Sequence, residues 1–340
     1  MKTIACFNSK SGVGTTSIVY HLAWMYADLD PQADLSAMFF DDDRLEEIWL
    51  RSKPSLSVLG ALQPVLEGIG DLDEPHVESI EGSVGLLVGD LGLASFEDRL
   101  NAHWLACLEA KGRACRTIAA FSELLRRAAH VWGADLVLVD VGPNLTALNR
   151  AVMTAADHIV VPVAPDLSSL QGLRNLGPVL RLWRCEWEER RQKDPGPDDG
   201  ELPAGRMMPA GYVLLQRPVR FDRPVQAYAE WAAQIPAAYR HDVLGEDGDA
   251  APPIENDPYS LGRIKHYPNL TSMAMEARKP MFFLRPADGA IGAHTWAVQR
   301  CYADFKALAT AIAERCGVSV RQDRASFSPP DSSPLEGESP

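Results

Sequence analysis

Near the start of this chain a glycine-bearing loop lies between an apolar strand and an amphipathic helix. Residues 3–7 form the strand; Asn8-Ser9-Lys10-Ser11-Gly12-Val13-Gly14-Thr15-Thr16-Ser17 is the loop; Ile18, Val19, Leu22, Trp24 and Met25 carry the helical spacing. Strand, glycine loop and helix in that order are what a phosphate cradle demands. Glycines let backbone N–H groups turn inward round an anion, and a helix N-terminus adds partial positive charge. The hydroxyl of Thr16 is placed to ligand a nucleotide-bound magnesium. The loop alone is equally compatible with a plain turn, so the rest of the chain must decide.

Further short β-rich runs follow at 84–88, 136–139, 158–163 and 212–215, separated by segments long enough for helices. That alternation predicts an α/β fold, with a mainly parallel sheet covered by helices on both faces. The runs at 136–139 and 159–163 are nearly all Leu, Ile and Val, as in strands buried on both sides, and ligands belong at the turns that follow them. The proline- and acid-rich stretches 186–205 and 245–258 are expected to be loop insertions. A tail over 323–340 is too polar and proline-rich to bury anything and is expected to be disordered. A last amphipathic helix over 294–316 carries Trp296, Cys301, Phe305, Leu308 and Ile312 as one stripe. Trp183, Trp187 and Trp231 are either packed or an aromatic docking surface, with packing favoured by the i, i+4 spacing.

The 340 residues, 46% of them hydrophobic, suit one large domain over 1–320 and exclude a disordered chain. No run of eighteen apolar residues occurs and no secretory signal opens the sequence, so no membrane association and a cytoplasmic location are expected. The six cysteines include no CxxC pair and are taken as ordinary reduced core or surface residues. With no HExxH and no GxSxG, metalloenzyme and hydrolase classes have no support. A net charge of −13 repels nucleic acid overall, so any DNA contact needs a local basic patch.

The loop from Lys10 to Thr16 resembles the deviant Walker A loop of the ParA/MinD group of P-loop ATPases, in which a signature lysine precedes two glycines. Three more stretches fall in that family's order: Asp30-Pro31-Gln32 resembles switch I, Asp140-Val141-Gly142-Pro143-Asn144 switch II, and 162–172 the segment after the next strand. Residues 265–280 look like its late loop before the closing helices, so the resemblance spans about 1–316. It implies a P-loop NTPase fold binding ATP and Mg²⁺, with Ser11, Gly12, Val13, Gly14, Thr15, Thr16 and Ser17 round the phosphates. It places Thr16 on the metal, Asp140 in the metal's outer sphere and Asp30 orienting the attacking water. Lys10 would reach the phosphates of a second copy in an ATP-dependent homodimer, and a ParB-like protein would stimulate the cycle. The plain alternatives are that Asp30 and Asp140 cap turns and that Lys10 is solvated.

Two departures from the family lie in this site. A second lysine directly follows the last glycine in the family, and here Thr15 stands there; a hydroxyl cannot replace an ammonium on the β- and γ-phosphates, so hydrolysis is expected to be impaired. The second departure is length. A helix from Thr15 to Met25 runs roughly 16 Å at 1.5 Å per residue, and Tyr26, Ala27, Asp28 and Leu29 are too few to return. About ten residues are missing relative to the family, and the tetrapeptide 26–29 fits either a helix end or a strand end. An intact second strand is therefore in question, with unpaired sheet edges, an uncovered helix face and lowered stability expected.

The resemblance implies partitioning or positioning of DNA or another cargo, the rival being a degenerate, non-hydrolysing relative serving as an interaction module or surviving as a decaying copy. Candidate DNA contacts are Arg217, Arg220, Arg223, Arg263, Lys265, Arg278 and Lys279.

Overall fold

The structure, a computed structural model, describes residues 1–319 except 11, 13, 23–24, 53–54, 82–83, 110–111, 194–201, 217–224 and 249–250. Ser11, Val13, Arg217, Arg220, Arg223, the 323–340 tail and parts of both acidic insertions thus lie outside the described residues.

Eight strands form one sheet: β1 (Lys2–Cys6), β2 (Met25–Asp28), β3 (Glu78–Glu81), β4 (Val84–Leu87), β5 (Leu136–Asp140), β6 (His158–Val163), β7 (Met208–Gln216) and β8 (Ser260–Lys265). Their spatial order is β3-β4-β2-β5-β1-β6-β7-β8. Every neighbouring pair is parallel except β3 with β4. The pleat alternation sends Ala5 and Phe7 to one face and Ile4 and Cys6 to the other, and two apolar cores result. One packs beneath helices Val58–Glu67, Glu97–Leu108, Gly112–Trp132, Ala147–Thr154, Leu167–Lys193 and Val225–Ala238. The other packs beneath Thr15–His21, Asp34–Phe39, Pro268–Ala277 and Ala293–Cys316. The expected mainly parallel, doubly covered α/β sheet is what forms.

The second strand is present, which corrects the expectation drawn from its length. The first helix stops at His21 rather than Met25, so it rises only about 10 Å. β2 then needs just four residues to enter the sheet, where it pairs with β4 on one side and β5 on the other. Nor is the first helix uncovered. His21 is buried, its Nδ1–H donating to the Ser17 carbonyl at 2.6 Å and its Nε2 accepting from the Met281 amide at 3.1 Å. Its ring stacks on Phe305 at 4.6 Å. Burial lowers its pKa to about 4, so the imidazole is neutral and both nitrogens are used.

Three further expectations are corrected. Residues 186–193 belong to the Leu167–Lys193 helix, with Trp187 and Arg190 buried in the core, and are not loop. In the last helix Cys301, Phe305, Leu308 and Ile312 are buried as expected, but Trp296 is 74% exposed. Cys107 and Cys115, expected to be reduced, are joined in a disulfide.

The helix Leu167–Lys193 lies so close to residues 239–244 that a methyl group at Gly177 would overlap the Asp242 carbonyl. Arg181 Nη1 fastens the same crossing by donating to the carbonyls of Asp242 at 2.9 Å and Val243 at 3.1 Å. Gly177→Ala is expected to lower folding stability by about 1–3 kcal/mol through overpacking, measured by denaturant titration; an unchanged midpoint counts against this close approach.

Candidate nucleotide site

β1 ends beside a loop whose glycines take the left-handed conformation, Gly12 at φ 68° and Gly14 at φ 84°. Gly14 is also the N-cap of the Thr15–His21 helix, so Thr15, Thr16 and Ser17 form its first turn with no acidic residue among them. This backbone is the curl that glycine permits and other residues resist. Asn8 holds the entrance, its Oδ1 accepting from the Lys10 amide at 2.9 Å and its Nδ2 donating to the Pro162 carbonyl.

Three carboxylates converge at the ends of the adjacent strands β2 and β5. Asp28 and Asp140 are register partners, and both are fully buried. Asp28 Oδ2 accepts from the Ser36 amide at 2.8 Å and the Ser36 hydroxyl at 2.6 Å, and the Gly89 amide donates to that hydroxyl at 2.8 Å. Its Oδ1 accepts from the Asp30 amide at 3.3 Å. Asp30 is buried against the loop after β5, where a methyl group at Gly142 would stand 2.7 Å from Asp30 Oδ1. The Gln32 amide donates to the same oxygen at 3.0 Å. The shortened chain therefore does bring Asp30 to Asp140. Asp28 went unnoticed in the sequence, although its signal is plain: an acid two residues before Asp30, at the close of a strand.

Asp140, unlike Asp28 and Asp30, accepts from no backbone amide among the described residues; what stands beside its carboxylate is the Thr16 hydroxyl. Burial raises its pKa well above the carboxylate range, and Asp28 raises it further, while the nearby Thr16 hydroxyl pulls the other way. Burial likewise pushes Asp28 up to about 7 and Asp30 upward. A buried carboxylate beside a hydroxyl, with no ion pair to Lys or Arg among the described residues, suits a hydrated cation. Among the described residues no three His, Cys, Asp or Glu side chains could hold a metal by themselves. A magnesium ion here would need the oxygens of a nucleotide, and Thr16 with Asp140 fits one brought in that way.

Lys10 does not point at these acids. Its ammonium pairs with Asp166 of the same chain at 2.5 Å, and Asp166 is held by the Ser169 amide at 2.9 Å. The ion pair with Lys10 and the Ser169 amide keep the Asp166 carboxyl below its ordinary pKa despite burial. Of the described basic candidates, Arg263 pairs with Glu255 and Lys279 with Asp288, each at 2.8 Å. Lys265 and Arg278 are exposed.

Comparison with known proteins agrees with this geometry. A family model described as an AAA domain matches residues 1–190, more than half of the chain. The chain belongs to that family. A Rhizobium rhizogenes protein provisionally named replication protein A is 26% identical over 182 residues, 51% of this chain and 42% of that protein. The chain thus spans less than half the length of the curated relative it matches. Among solved structures, a Corynebacterium diphtheriae protein shares the fold at TM-score 0.65 and 20% identity, covering 93% of this chain and 98% of that one. A Borrelia burgdorferi protein, provisionally named a plasmid partition protein and bound to AMPPNP, shares it at TM-score 0.54 and 12% identity, covering 92% and 99%.

The raised carboxylates make stability depend on pH. Folded Asp28 keeps its proton to about pH 7, whereas the unfolded chain releases it near 3.8, so its contribution to stability is lost as pH rises from about 4 through 7. Without magnesium or nucleotide, melting temperature is expected to fall across that range. Asp140→Asn, which removes a fully buried carboxylate whose ionisation burial and Asp28 both oppose, is expected to stabilise the protein at pH 8 by at least about 1 kcal/mol. A thermal melt of the variant no higher than that of the parent would rule out an uncompensated carboxylate at 140.

Proposed function

We propose that this chain is a ParA-like ATP-binding switch of the cytoplasm that partitions or positions DNA or another cargo, through nucleotide-dependent formation of a homodimer. The observation that carries the reading is Asp140, fully buried beside the Thr16 hydroxyl and in register with Asp28, where the left-handed glycine loop opens the first helix. The Borrelia relative's name and its bound AMPPNP point to the same class of activity.

Backbone amides from 8 to 17 would cradle the phosphates, with Thr16 ligating Mg²⁺ and Asp140 accepting from its hydration sphere. The metal would supply charge neutralisation of the triphosphate. Asp30, held by the Gln32 amide, orients the attacking water, and its raised pKa lets it accept a proton more readily than an ordinary carboxylate. Lys10 must leave Asp166 before it can reach a partner's phosphates, so dimerisation competes with an ion pair inside one chain. A ParB-like protein is the expected stimulator.

A second reading rests on Thr15, which puts a hydroxyl where the family has an ammonium: a relative that binds nucleotide without hydrolysing it and serves as an interaction module. Removing one preorganised donor costs on the order of a hundred- to a thousandfold in rate. Calorimetry with Mg²⁺ and AMPPNP is expected to show binding, and Thr15→Lys to raise ATP turnover on the order of a hundredfold. No heat from a demonstrably folded protein removes the nucleotide reading; binding without any gain from Thr15→Lys favours the second one.

Among the described basic candidates, Arg263 and Lys279 are engaged in ion pairs, and the exposed Lys265 and Arg278 are the ones best placed for DNA phosphates. Retention on random duplex is expected to weaken steadily with salt and to drop in Lys265→Ala/Arg278→Ala. Failure to bind duplex even in dilute salt leaves a cargo other than DNA.

A further inference from the structure

Helix Glu97–Leu108 belongs to the segment after β4, away from the glycine loop, yet it grips the element that follows the third carboxylate. Glu97, its first residue, accepts from the Ala147 amide at 2.6 Å through Oε1 and from the Leu148 amide at 3.0 Å through Oε2. Those amides open the helix Ala147–Thr154 and have no intrahelical acceptor of their own. Two turns further along the same face, Trp104 Nε1–H donates to the Ala147 carbonyl at 3.3 Å. Ala147 is thereby held at both its amide and its carbonyl by a helix fifty residues earlier in the chain.

The grip continues into the site. Asn149, buried in the first turn of the second helix, donates from Nδ2 to the carbonyls of Gly142 at 2.7 Å and Asn144 at 2.6 Å. Gly142 is the residue against which Asp30 packs, two positions after Asp140. The loop 141–146 is therefore suspended between β5 and a helix whose start is fixed by Glu97. The far end of helix Glu97–Leu108 is itself anchored, since Cys107 in its last turn is bonded to Cys115 at the start of the next helix.

We propose that Glu97 is a positioning residue of the nucleotide site: by fixing Ala147 and Leu148 it sets, through Asn149, where the 141–146 loop stands against Asp30 and Asp140. A cap serving the helix alone is already present, for Thr146 is the N-cap and its hydroxyl accepts from the Asn149 amide at 3.5 Å. Glu97 adds a carboxylate from a separate element, and its negative charge lies at the positive end of the helix dipole. The proposal rests on the nucleotide-binding reading given above.

The test uses the full-length chain and two substitutions, Glu97→Ala and Glu97→Gln, with hydrogen exchange and AMPPNP–Mg²⁺ calorimetry as paired measurements. Glu97→Ala is expected to speed exchange at Ala147 and Leu148 about five- to thirtyfold, the loss typical of a removed cap, while sheet amides stay at parental rates. It is also expected to weaken AMPPNP binding at least about fivefold, as energetic coupling between the helix start and the site requires. Glu97→Gln keeps one carbonyl acceptor and should restore part of both. Loosened amides with parental affinity make Glu97 a helix cap and overturn the proposal, as does a general rise in sheet exchange. A parent that binds no AMPPNP overturns the nucleotide reading and this proposal with it, whereas failure of the variants alone sinks only the role of Glu97.

Discussion

Two carboxylates buried side by side, Asp28 and Asp140, are the constraint round which this end of the sheet is organised. Like charges taken out of water repel and are costly, and the chain answers differently for each. Asp28 is surrounded by donors, from Ser36 twice and from the Asp30 amide, and Ser36 in turn receives the Gly89 amide. One side chain thus ties the end of β4, the start of the Asp34–Phe39 helix and the turn bearing Asp30 into a single unit. Asp140 accepts from no backbone amide among the described residues and has only the Thr16 hydroxyl beside it. Satisfying one member of the pair so much more fully than the other concentrates the electrostatic strain at one point, beside Thr16 and the glycine loop.

Much of this was legible in the residues. The strand–glycine loop–helix order and the β-branched runs give the fold, and the succession Lys10, Asp30, Asp140 marks the three segments of the candidate site, because each rests on local chemistry: glycine conformation, side-chain period, acids at strand ends. The length argument failed for a non-local reason. Apolar periodicity extends from Ile18 to Met25, and nothing nearby says that the helix ends at His21. What holds His21 there comes from far along the chain: the Met281 amide on Nε2, 260 residues away, and the Phe305 ring against the imidazole, further still. With the helix cut short, four residues suffice for β2. The residues 186–193 misled in the opposite sense, since their acids look like loop while the helical spacing of Trp187 and Arg190 carries a buried face. Trp104 receives the Arg190 Nη2 donor at 3.1 Å on its carbonyl, and the Arg150 guanidinium lies 3.9 Å from the centre of its ring. Neither contact has a local signature.

Glu97 shows the same limit at the site itself. A glutamate opening a helix is ordinary, and its partners at 147 and 148 become visible only when the sheet order sets one helix beside the other. Cys107 and Cys115 are similar: eight residues apart without a motif, they meet because the helices bearing them pack against each other. In each case composition supplies a group capable of the interaction, and topology alone supplies the partner.

The charge balance of the site connects Thr15 to Lys10. Around the glycine loop stand Asp28, Asp30 and Asp140, with Asp34 close enough to raise the pKa of both Asp30 and Asp140. The family's second lysine would offset part of that field, and Thr15 does not. The described lysine nearest in sequence, Lys10, is engaged with Asp166. A triphosphate adds several more negative charges, of which a single Mg²⁺ cancels only two, and at low effective dielectric the remainder is unfavourable by several kcal/mol. Two sources of relief exist within the chain: protons on carboxylates whose pKa values are already raised, and an ammonium released from Asp166. The first acts within one molecule and weakens as pH rises; the second brings a cation toward phosphate only when the ion pair opens. On the proposed nucleotide-binding reading, Thr15 after Gly14 would make affinity depend on Lys10 more steeply than in a relative that keeps both lysines, and hence on whatever competes for Asp166.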